Sequence, residues 1–148
     1  VDSQKGKGVR LCHSREERRD EIEQHGDSII VQQFIPMDYD VRVLCIGSEI
    51  IGAIRRNVVD GDFRSNVSLG SSAQAYALSE EASALALQAH EAMKYDMSGV
   101  DIGFGKDGLP FVIETNVTPE WQGFKAATGI DVADHVVRHI IERYENER

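Results

Sequence analysis

The stretch from Gly99 to Asn116, GVDIGFGKDGLPFVIETN, decides the fold that this sequence predicts. Two runs of alternating residues flank Asp107-Gly108, and Asp-Gly between such runs is the strongest short-range indication of a β-hairpin. Counting outward from this dipeptide as the turn places Asp101 directly opposite Glu114. Like charges at directly opposed positions, roughly 4.5–5.5 Å apart at Cβ, destabilise a sheet. We therefore expect a positive group between the two carboxylates.

The two faces of this predicted hairpin differ in chemical character. One face is apolar and is expected to join the core; its members are Val100, Ile102, Phe104, Phe111 and Ile113. The other face combines glycines with polar side chains, and its members are Gly99, Asp101, Gly103, Gly105, Val112, Glu114 and Asn116. Glycine inside a strand often marks the close approach of a ligand. Oxygen donors of this kind suit Mg²⁺, which binds one or two carboxylates and completes its coordination with water and phosphates. The alternative is a polar face whose charges extend into water.

The composition is that of an ordinary globular protein. The chain has 148 residues, of which 41% are hydrophobic and 28% charged, enough for one domain or part of one. A formal net charge of −9 argues against general nucleic-acid binding. No apolar run approaches the roughly 20 residues of a membrane span, and no signal peptide opens the chain. Cys12 and Cys45 have neither metal nor redox spacing, which predicts reduced thiols and a cytoplasmic location.

The beginning of the chain is unusual. Val1 is not a start methionine and SQKGKGV follows almost at once, so we expect a fragment of a larger sequence. A Gly- and Lys-rich loop can wrap phosphates with its backbone N–H groups, although no GKS or GKT follows as in a Walker motif. The alternative interpretation is a frayed terminus.

Capping residues, periodicity and turn residues predict the remaining elements. The predicted helices span residues 15–25 after Ser14, 80–95 after Ser79 and 132–144 after Asp131, and the third buries Val132, Val136, Val137, Ile140 and Ile141. Residues 28–35 are predicted to form a buried strand, and residues 117–129 a loop. Residues 40–46 and 49–56 alternate around Gly47-Ser48 and predict a second hairpin.

Arginines cluster after the second hairpin. Arg55 and Arg56, followed by GDFRSN at residues 61–66, place three arginines and an amide at one end of the predicted sheet. Because the arginine fork matches phosphate and carboxylate geometry, these residues indicate an anion site. The alternative is a set of ordinary surface arginines.

Seven stretches together resemble the C-terminal part of an ATP-grasp ligase, closest to the RimK-type amino-acid ligases and more distantly to bacterial glutathione synthetase. They run in the order of that family and cover nearly the whole chain: SQKGKGV, VQQFI, DVRVLCIG, RRNVVDGDFRSN, SGVDIG, FVIETNVTP and TGIDVADHVV. The resemblance implies an α+β fold in which a mostly antiparallel sheet packs against helices. It also implies that residues 1–148 are the C-terminal portion of an ATP-grasp domain, lacking the N-terminal domain and the first subdomain, and inactive alone.

The resemblance also assigns roles to residues at matching positions. It implies that two Mg²⁺ (or Mn²⁺) ions are held against the phosphates of ATP by Asp101, Glu114 and Asn116. It implies nucleotide contacts from lid glycines, an adenine hinge, a ribose-binding carboxylate and two arginines, which are Gly6, Gly8, Gln33, Phe34, Ile35, Asp40, Arg42 and Arg56. It places three catalytic side chains near the phosphates or the acyl substrate, namely Arg56, Arg64 and Asn66.

The implied chemistry is amide-bond formation. In the family, ATP phosphorylates a carboxylate and an amine attacks the acyl phosphate, giving an amide and ADP. The implied partners are ATP, an amino acid and a carboxylate acceptor, which is a protein tail, a peptide or a metabolite; a homo-oligomer is left open. The sequence departs from the family at Gln33, where Glu is common, at Leu69, where close relatives carry Arg, and at Glu120-Trp121. The alternative function is a non-catalytic nucleotide-binding or regulatory module of the same fold.

Overall fold

The structure, a computed structural model, describes residues 8–57 and 73–146. The chain divides into two compact units, Val1–Pro36 and Met37–Arg148. The first unit contains helix α1, Arg15–His25. Its N-cap is Ser14, whose hydroxyl accepts a hydrogen bond of 3.0 Å from the backbone N–H of Glu17, and its C-cap is Gly26 with φ of 53°. Both ends of α1 are those that the capping residues predict.

The buried strand predicted for residues 28–35 is wrong. A short 3₁₀ turn, Gly26–Ser28, follows α1, and residues 29–37 form neither helix nor strand. Ile30 is 92% exposed. An apolar, β-branched run carries strand propensity, but a strand also needs a hydrogen-bonded neighbour, which local sequence does not specify.

The second unit is built on a five-stranded sheet in the order β3-β2-β1-β4-β5. The strands are β1 (Tyr39–Ile46), β2 (Glu49–Asn57), β3 (Ala73–Ala75), β4 (Met97–Phe104) and β5 (Pro110–Asn116). The helices are α2 (Glu80–Met93), α3 (Gln122–Thr128) and α4 (Val132–Asn146). Every pair of neighbouring strands in this sheet is antiparallel. The predicted α+β architecture, a mostly antiparallel sheet with helices, is confirmed.

The sheet buries both of its faces. On one face the alternate residues of β1 and β4 pack against two alanines of α2; this cluster includes Val41, Val43, Val100, Ile102, Ala82 and Ala86. On the opposite face Leu44 and Ile54 pack with Phe124 of α3 and Val132 of α4. Because side chains alternate along a strand, Arg42 shares the face of Leu44. The polar site described below therefore lies on the face that α3 and α4 cover elsewhere.

The C-terminal helices differ from their predictions in two respects. The predicted loop at residues 117–129 contains α3, which begins after Trp121 and ends at Gly129 with φ of 74°. In α4, Val132 is buried and Val136 packs against the core, as predicted. The predicted burial of the remaining apolar residues is wrong, because these side chains are 50–60% exposed: Val137, Ile140 and Ile141. Periodicity identifies the apolar face of a helix but not how far along it the neighbouring sheet extends. Within the described ranges no helix has both the length and the apolar character to cross a bilayer.

Asp96, which immediately precedes β4, makes a testable electrostatic contribution to stability. His139, whose Nε2 lies 3.4 Å from Asp96 Oδ1, and Arg143 both lower the pKa of this carboxyl below its ordinary value. A lowered pKa in the folded state stabilises the protein above the unfolded pKa, and this contribution is lost as the pH falls through the folded pKa. We expect Asp96→Asn to lower the melting temperature slightly at about pH 6 and not at about pH 2. The effect is small because the Asp96 side chain is 64% exposed.

Thermal unfolding of the Asp96→Asn variant across this pH range checks the prediction, with the exposed Asp38→Asn as a control. A difference in melting temperature that stays constant with pH would show that the ionised Asp96 carboxylate does not provide the stabilisation.

Candidate functional site

The β4–β5 hairpin brings Asp101 opposite Glu114 and Gly99 opposite Asn116, as predicted. The two-residue turn used to predict this pairing is wrong. The Gly105 N–H donates to the Leu109 carbonyl at 3.0 Å, and the Gly108 N–H donates to the Gly105 carbonyl at 2.9 Å. The loop therefore comprises three residues, and its last, Gly108, has φ of 79°, a left-handed conformation that glycine adopts without strain.

A β-bulge corrects for the longer loop. The register shifts between Asp101 and Ile102, so that Ile102 pairs with Val112 and Ile113 is the extra residue. With the three-residue loop and no bulge, Ile113 would stand opposite Asp101. The bulge restores Glu114 to that position and turns its side chain to the face of Asp101.

The same bulge changes the predicted faces of the hairpin. Phe111 pairs with Gly103, and a Cβ built on Gly103 would lie 2.5 Å from the Phe111 ring. Phe111 therefore belongs to the polar face, and its predicted place in the core is wrong. Val112 pairs with Ile102, which lies in the core on the opposite face. The glycine at position 103 leaves the space that the Phe111 ring occupies.

Arg42 supplies positive charge to Asp101 from β1, which lies on the side of β4 away from β5, and not from between the two carboxylates, where the sequence predicts a positive group. The two residues are directly opposed on β1 and β4. Arg42 binds the carboxylate with both branches of its guanidinium: Nε donates to Oδ1 and Nη2 to Oδ2, each at 2.8 Å. This bidentate geometry gives the strongest of the charge-assisted hydrogen bonds.

Arg56 extends the ion pair into a chain of four charges. It is directly opposed to Asp40 and binds that carboxylate through Nε and Nη2, each at 2.6 Å. Its Nη2 also lies 2.8 Å from Oδ2 of Asp101, so Arg56 reaches across β1 to β4. We call the sequence Asp40–Arg56–Asp101–Arg42 the ion-pair chain. Arg56, Asp40 and Asp101 are each 3% exposed.

The ion-pair chain determines the ionisation of its members. Burial alone would raise the pKa of Asp101, but the hydrogen bonds and charges of Arg42 and Arg56 outweigh burial and lower it below its ordinary value. Burial alone would lower the pKa of Arg56, but its contacts with Asp40 and Asp101 raise it. Asp101 is therefore a carboxylate, and Arg56 a cation, under all ordinary conditions.

Glu114 differs from Asp101 in its surroundings. Partial burial, with the adjacent charge of Asp101, raises the pKa of Glu114 above its ordinary value, and Arg42 offsets this only in part. The side chain lies at the exposed side of the cluster. Asn116 lies two residues along the strand, and its Oδ1 accepts a hydrogen bond of 3.0 Å from the Thr118 N–H. The two carboxylates thus occupy one cluster but carry unequal amounts of compensating charge.

These three residues suit a divalent cation by their donor chemistry. Asp101, Glu114 and Asn116 offer two carboxylates and a carboxamide oxygen, the hard ligands that Mg²⁺ and Mn²⁺ accept. Glu114 is the carboxylate that the arginines compensate least. Among residues 8–57 and 73–146, no group of three His, Cys, Asp or Glu side chains is arranged to hold a metal by itself. A cation bound here would take further ligands from water or from a substrate.

Arg55 is not part of the predicted anion site. It pairs with Val41 and shares the face of the apolar core, where its guanidinium stacks 3.8 Å above the Tyr39 ring. Its Nε also donates to Asn57 at 2.8 Å. The side chain that turns to the polar face is that of the next residue, Arg56.

Most of the other predicted site residues belong to the first unit or lie outside the described residues. Gly6, Arg64 and Asn66 lie outside the described residues, as does Leu69. Gly8, which has φ of 82°, belongs to the first unit, together with Gln33, Phe34 and Ile35. Their nucleotide contacts remain predictions. Asp40 was predicted to contact ribose, and in this structure its carboxylate binds Arg56.

The sequence contained one indication of the Asp40–Arg56 pair that was missed. The two residues lie at nearly equal distances from the Gly47-Ser48 turn, so an antiparallel hairpin places them at or next to opposed positions. A charged pair flanked by apolar core residues is typical of buried pairing.

Comparison with known proteins shows what the chain as a whole resembles. The RimK-like ATP-grasp domain matches residues 1–140. The ribosomal protein bS6–L-glutamate ligase of Shigella boydii serotype 18 (strain CDC 3083-94 / BS512) is 35% identical over 149 residues, which cover 97% of this chain and 49% of that protein. The chain thus spans about half the length of this curated relative.

Two solved structures have the same fold. D-alanine–D-alanine ligase from Bacillus anthracis complexed with ATP matches 95% of this chain and 53% of its own, with a TM-score of 0.69 and 18% identity. The ATP-grasp ligase PsnB complexed with minimal precursor, Mg and ADP matches 68% of this chain and 33% of its own, with a TM-score of 0.55 and 28% identity.

The ion-pair chain predicts different costs for two adjacent arginines. Arg56→Met removes the bidentate partner of the buried Asp40 carboxylate and one of the two arginines that bind Asp101, and we expect it to lower the free energy of unfolding by about 3–5 kcal/mol. Arg55→Met removes a cation–π contact, and we expect a loss of about 1 kcal/mol or less. Urea unfolding of both variants measures the difference. Equal costs for the two substitutions would contradict the loss of buried ion pairs as the cause.

Proposed function

Because the chain belongs to the RimK-like ATP-grasp family, we propose that it is the C-terminal, nucleotide-binding portion of an ATP-dependent carboxylate–amine ligase. The ligase uses ATP to activate a carboxylate as an acyl phosphate, and the amine of an amino acid attacks it to form an amide. The proposal extends to a cytoplasmic protein that binds ATP together with Mg²⁺ or Mn²⁺. Since the chain spans about half of its curated relative, the activity of the whole protein is part of the proposal.

One observation carries this proposal. Asp101 and Glu114 face each other across β4 and β5, while two arginines converge on Asp101 from β1 and β2. Phosphoryl and acyl transfer need charge neutralisation and positioning rather than a protein nucleophile. A cluster of fixed carboxylates and guanidiniums is suited to that task.

Each residue of the cluster has a distinct part in the proposed chemistry. Asp101, Glu114 and Asn116 would hold the divalent cation, which supplies neutralisation of the phosphate charge. Arg56 keeps Asp101 ionised and fixed in orientation, because it binds both Asp101 and Asp40. Arg42, the more exposed of the two arginines, would contact a phosphate. Arg64, Asn66 and the glycines Gly6 and Gly8 keep their predicted roles near the phosphates.

The proposed substrates follow from the relatives. The S. boydii relative is named as a ligase of ribosomal protein bS6 and L-glutamate, and PsnB was solved with a minimal precursor. We propose that this protein likewise joins an amino acid, with glutamate as the first candidate, to a carboxylate on a peptide or a protein tail. The departures at Leu69 and at Glu120-Trp121 leave the identity of the amino acid to be measured.

Glu114→Gln tests the cation site. The substitution removes a ligand charge while keeping the shape of the side chain, so we expect Mg²⁺-dependent ATP binding to fall below detection in calorimetry. We expect little change in melting temperature, because the substitution also removes the like charge beside Asp101. The exposed Glu91→Gln on α2 is the matched control and is expected to bind as the unmodified protein does. A large drop in the melting temperature of Glu114→Gln would instead make Glu114 a structural residue.

The full-length gene product tests the reaction. ADP release is expected to depend on both an added amino acid and a carboxylate acceptor, and the product is expected to gain the mass of the amino acid less one water. Coupled ADP detection with mass spectrometry measures both. Mg-ATP binding without such release across a broad panel of amino acids and peptides would favour the nucleotide-binding or regulatory module.

A further inference from the structure

The two arginines that bind Asp101 are not equivalent. Arg56 is 3% exposed and binds two carboxylates, those of Asp40 and Asp101. The Arg42 side chain is 15% exposed and supplies two of the three hydrogen bonds that these arginines donate to Asp101. Removing Arg56 would take away the bidentate partner of the buried Asp40 carboxylate as well as a contact to Asp101. Withdrawing Arg42 would leave Asp101 paired with Arg56, so Arg42 is the partner that Asp101 can exchange.

Arg42 binds both oxygens of the Asp101 carboxylate, whereas the contact of Arg56 is with one of them. The Arg42 Nε donates to Oδ1, whereas the contact of Arg56 with Asp101 is at Oδ2. A carboxylate oxygen accepts about two hydrogen bonds or ligand contacts. A second positive charge on Oδ1 would be repelled by the guanidinium already bound there, and this repulsion is strong where water is scarce. A cation and the Arg42 fork therefore compete for the same oxygen.

We propose that Arg42 is an exchangeable counterion, which gives up Asp101 when a divalent cation binds there and then binds the phosphate that arrives with the cation. The inference rests on the proposed function, because it assumes the cation site at Asp101 and Glu114. It adds a thermodynamic consequence that the site residues alone do not imply. Breaking the Arg42–Asp101 pair opposes binding of the cation alone, and the new contact with a phosphate compensates for that loss. Cation and nucleotide therefore bind with positive coupling, and Arg42 carries it.

The substitution Arg42→Lys separates exchange from simple charge repulsion. Lysine keeps the positive charge but cannot form the bidentate contact that arginine makes. We expect the variant to bind Mn²⁺ alone about tenfold more tightly than the unmodified protein, and the tightening of Mn²⁺ binding by ADP to shrink about tenfold. Titration of the full chain with MnCl₂, followed by electron paramagnetic resonance with and without ADP, measures both quantities. Arg55→Lys is the matched control, because its side chain lies on the other face of the sheet.

A second measurement needs no substitution. The Arg42 Nε–H group is hydrogen-bonded to Asp101 at 2.8 Å, and the Arg56 Nε–H group to Asp40 at 2.6 Å. We expect the ¹⁵N-resolved Nε–H resonance of Arg42 to shift and to exchange faster with water when MgCl₂ and ADP are added. The Arg56 resonance is expected to persist, because its partner Asp40 is not a cation ligand.

The outcomes distinguish this inference from the proposed function. If Mn²⁺ and ADP bind the unmodified protein, but Arg42→Lys has the same Mn²⁺ affinity and the same coupling, the exchange is wrong and the ligase proposal stands. An Arg42 resonance that does not respond to MgCl₂ and ADP also overturns the exchange. If neither the unmodified protein nor the variant binds Mn²⁺ with ADP, the cation site and the proposed function fail together.

Discussion

The ion-pair chain is the constraint on which the rest of the site depends. Moving an ion out of water costs several kcal/mol even after the protein relaxes, and each buried charge is tolerated only while its partner is in place. Asp40, Arg56 and Asp101 are almost completely buried, so β1, β2 and β4 must meet in the one register that pairs them. A buried network of this kind adds little stability over an apolar core of equal volume. The arrangement of these charges is therefore better explained by the need to position the side chains of the candidate site than by a contribution to the stability of the fold.

Two bulges bring this network and Glu114 to one face of the sheet. In the β1–β2 hairpin the register shifts between Leu44 and Cys45, with Ile51 as the extra residue, and Arg56 stands opposite Asp40. Without that shift Arg55 would take this position and the buried aspartate would lose its bidentate partner. The bulge in β5 acts in the same way on Glu114. One inserted residue reverses which face a side chain occupies, which is why bulges are frequent beside active sites.

Some of these features could be predicted from the sequence and others could not. Ser14 and Ser79 act through contacts within one turn of helix, so the starts of α1 and α2 could be predicted from sequence. Bulges depend on how a whole sheet packs, so alternation along the strands could not distinguish Arg56 from Arg55, and only the family resemblance selected Arg56. The pairing of Asp101 with Glu114 was predicted correctly because a longer loop and a bulge compensate each other. Helix α3 had a usable indication in Gly129, a typical residue at a helix end, but a seven-residue helix leaves little periodicity to detect.

The charge balance of the cluster bears on the order in which ligands bind. Two aspartates match the two arginines, so the guanidiniums offer little net attraction to a free phosphate, and Glu114 adds a further negative charge beside them. The chain as a whole carries a formal charge of −9, which repels a triphosphate within a Debye length of roughly 10 Å. A divalent cation reverses this balance at one point, because it draws on the carboxylates and leaves the arginine charge uncompensated. In the proposed function the nucleotide therefore binds as its metal complex. The buried aspartates then compensate the charge of the arginines only until the cation binds.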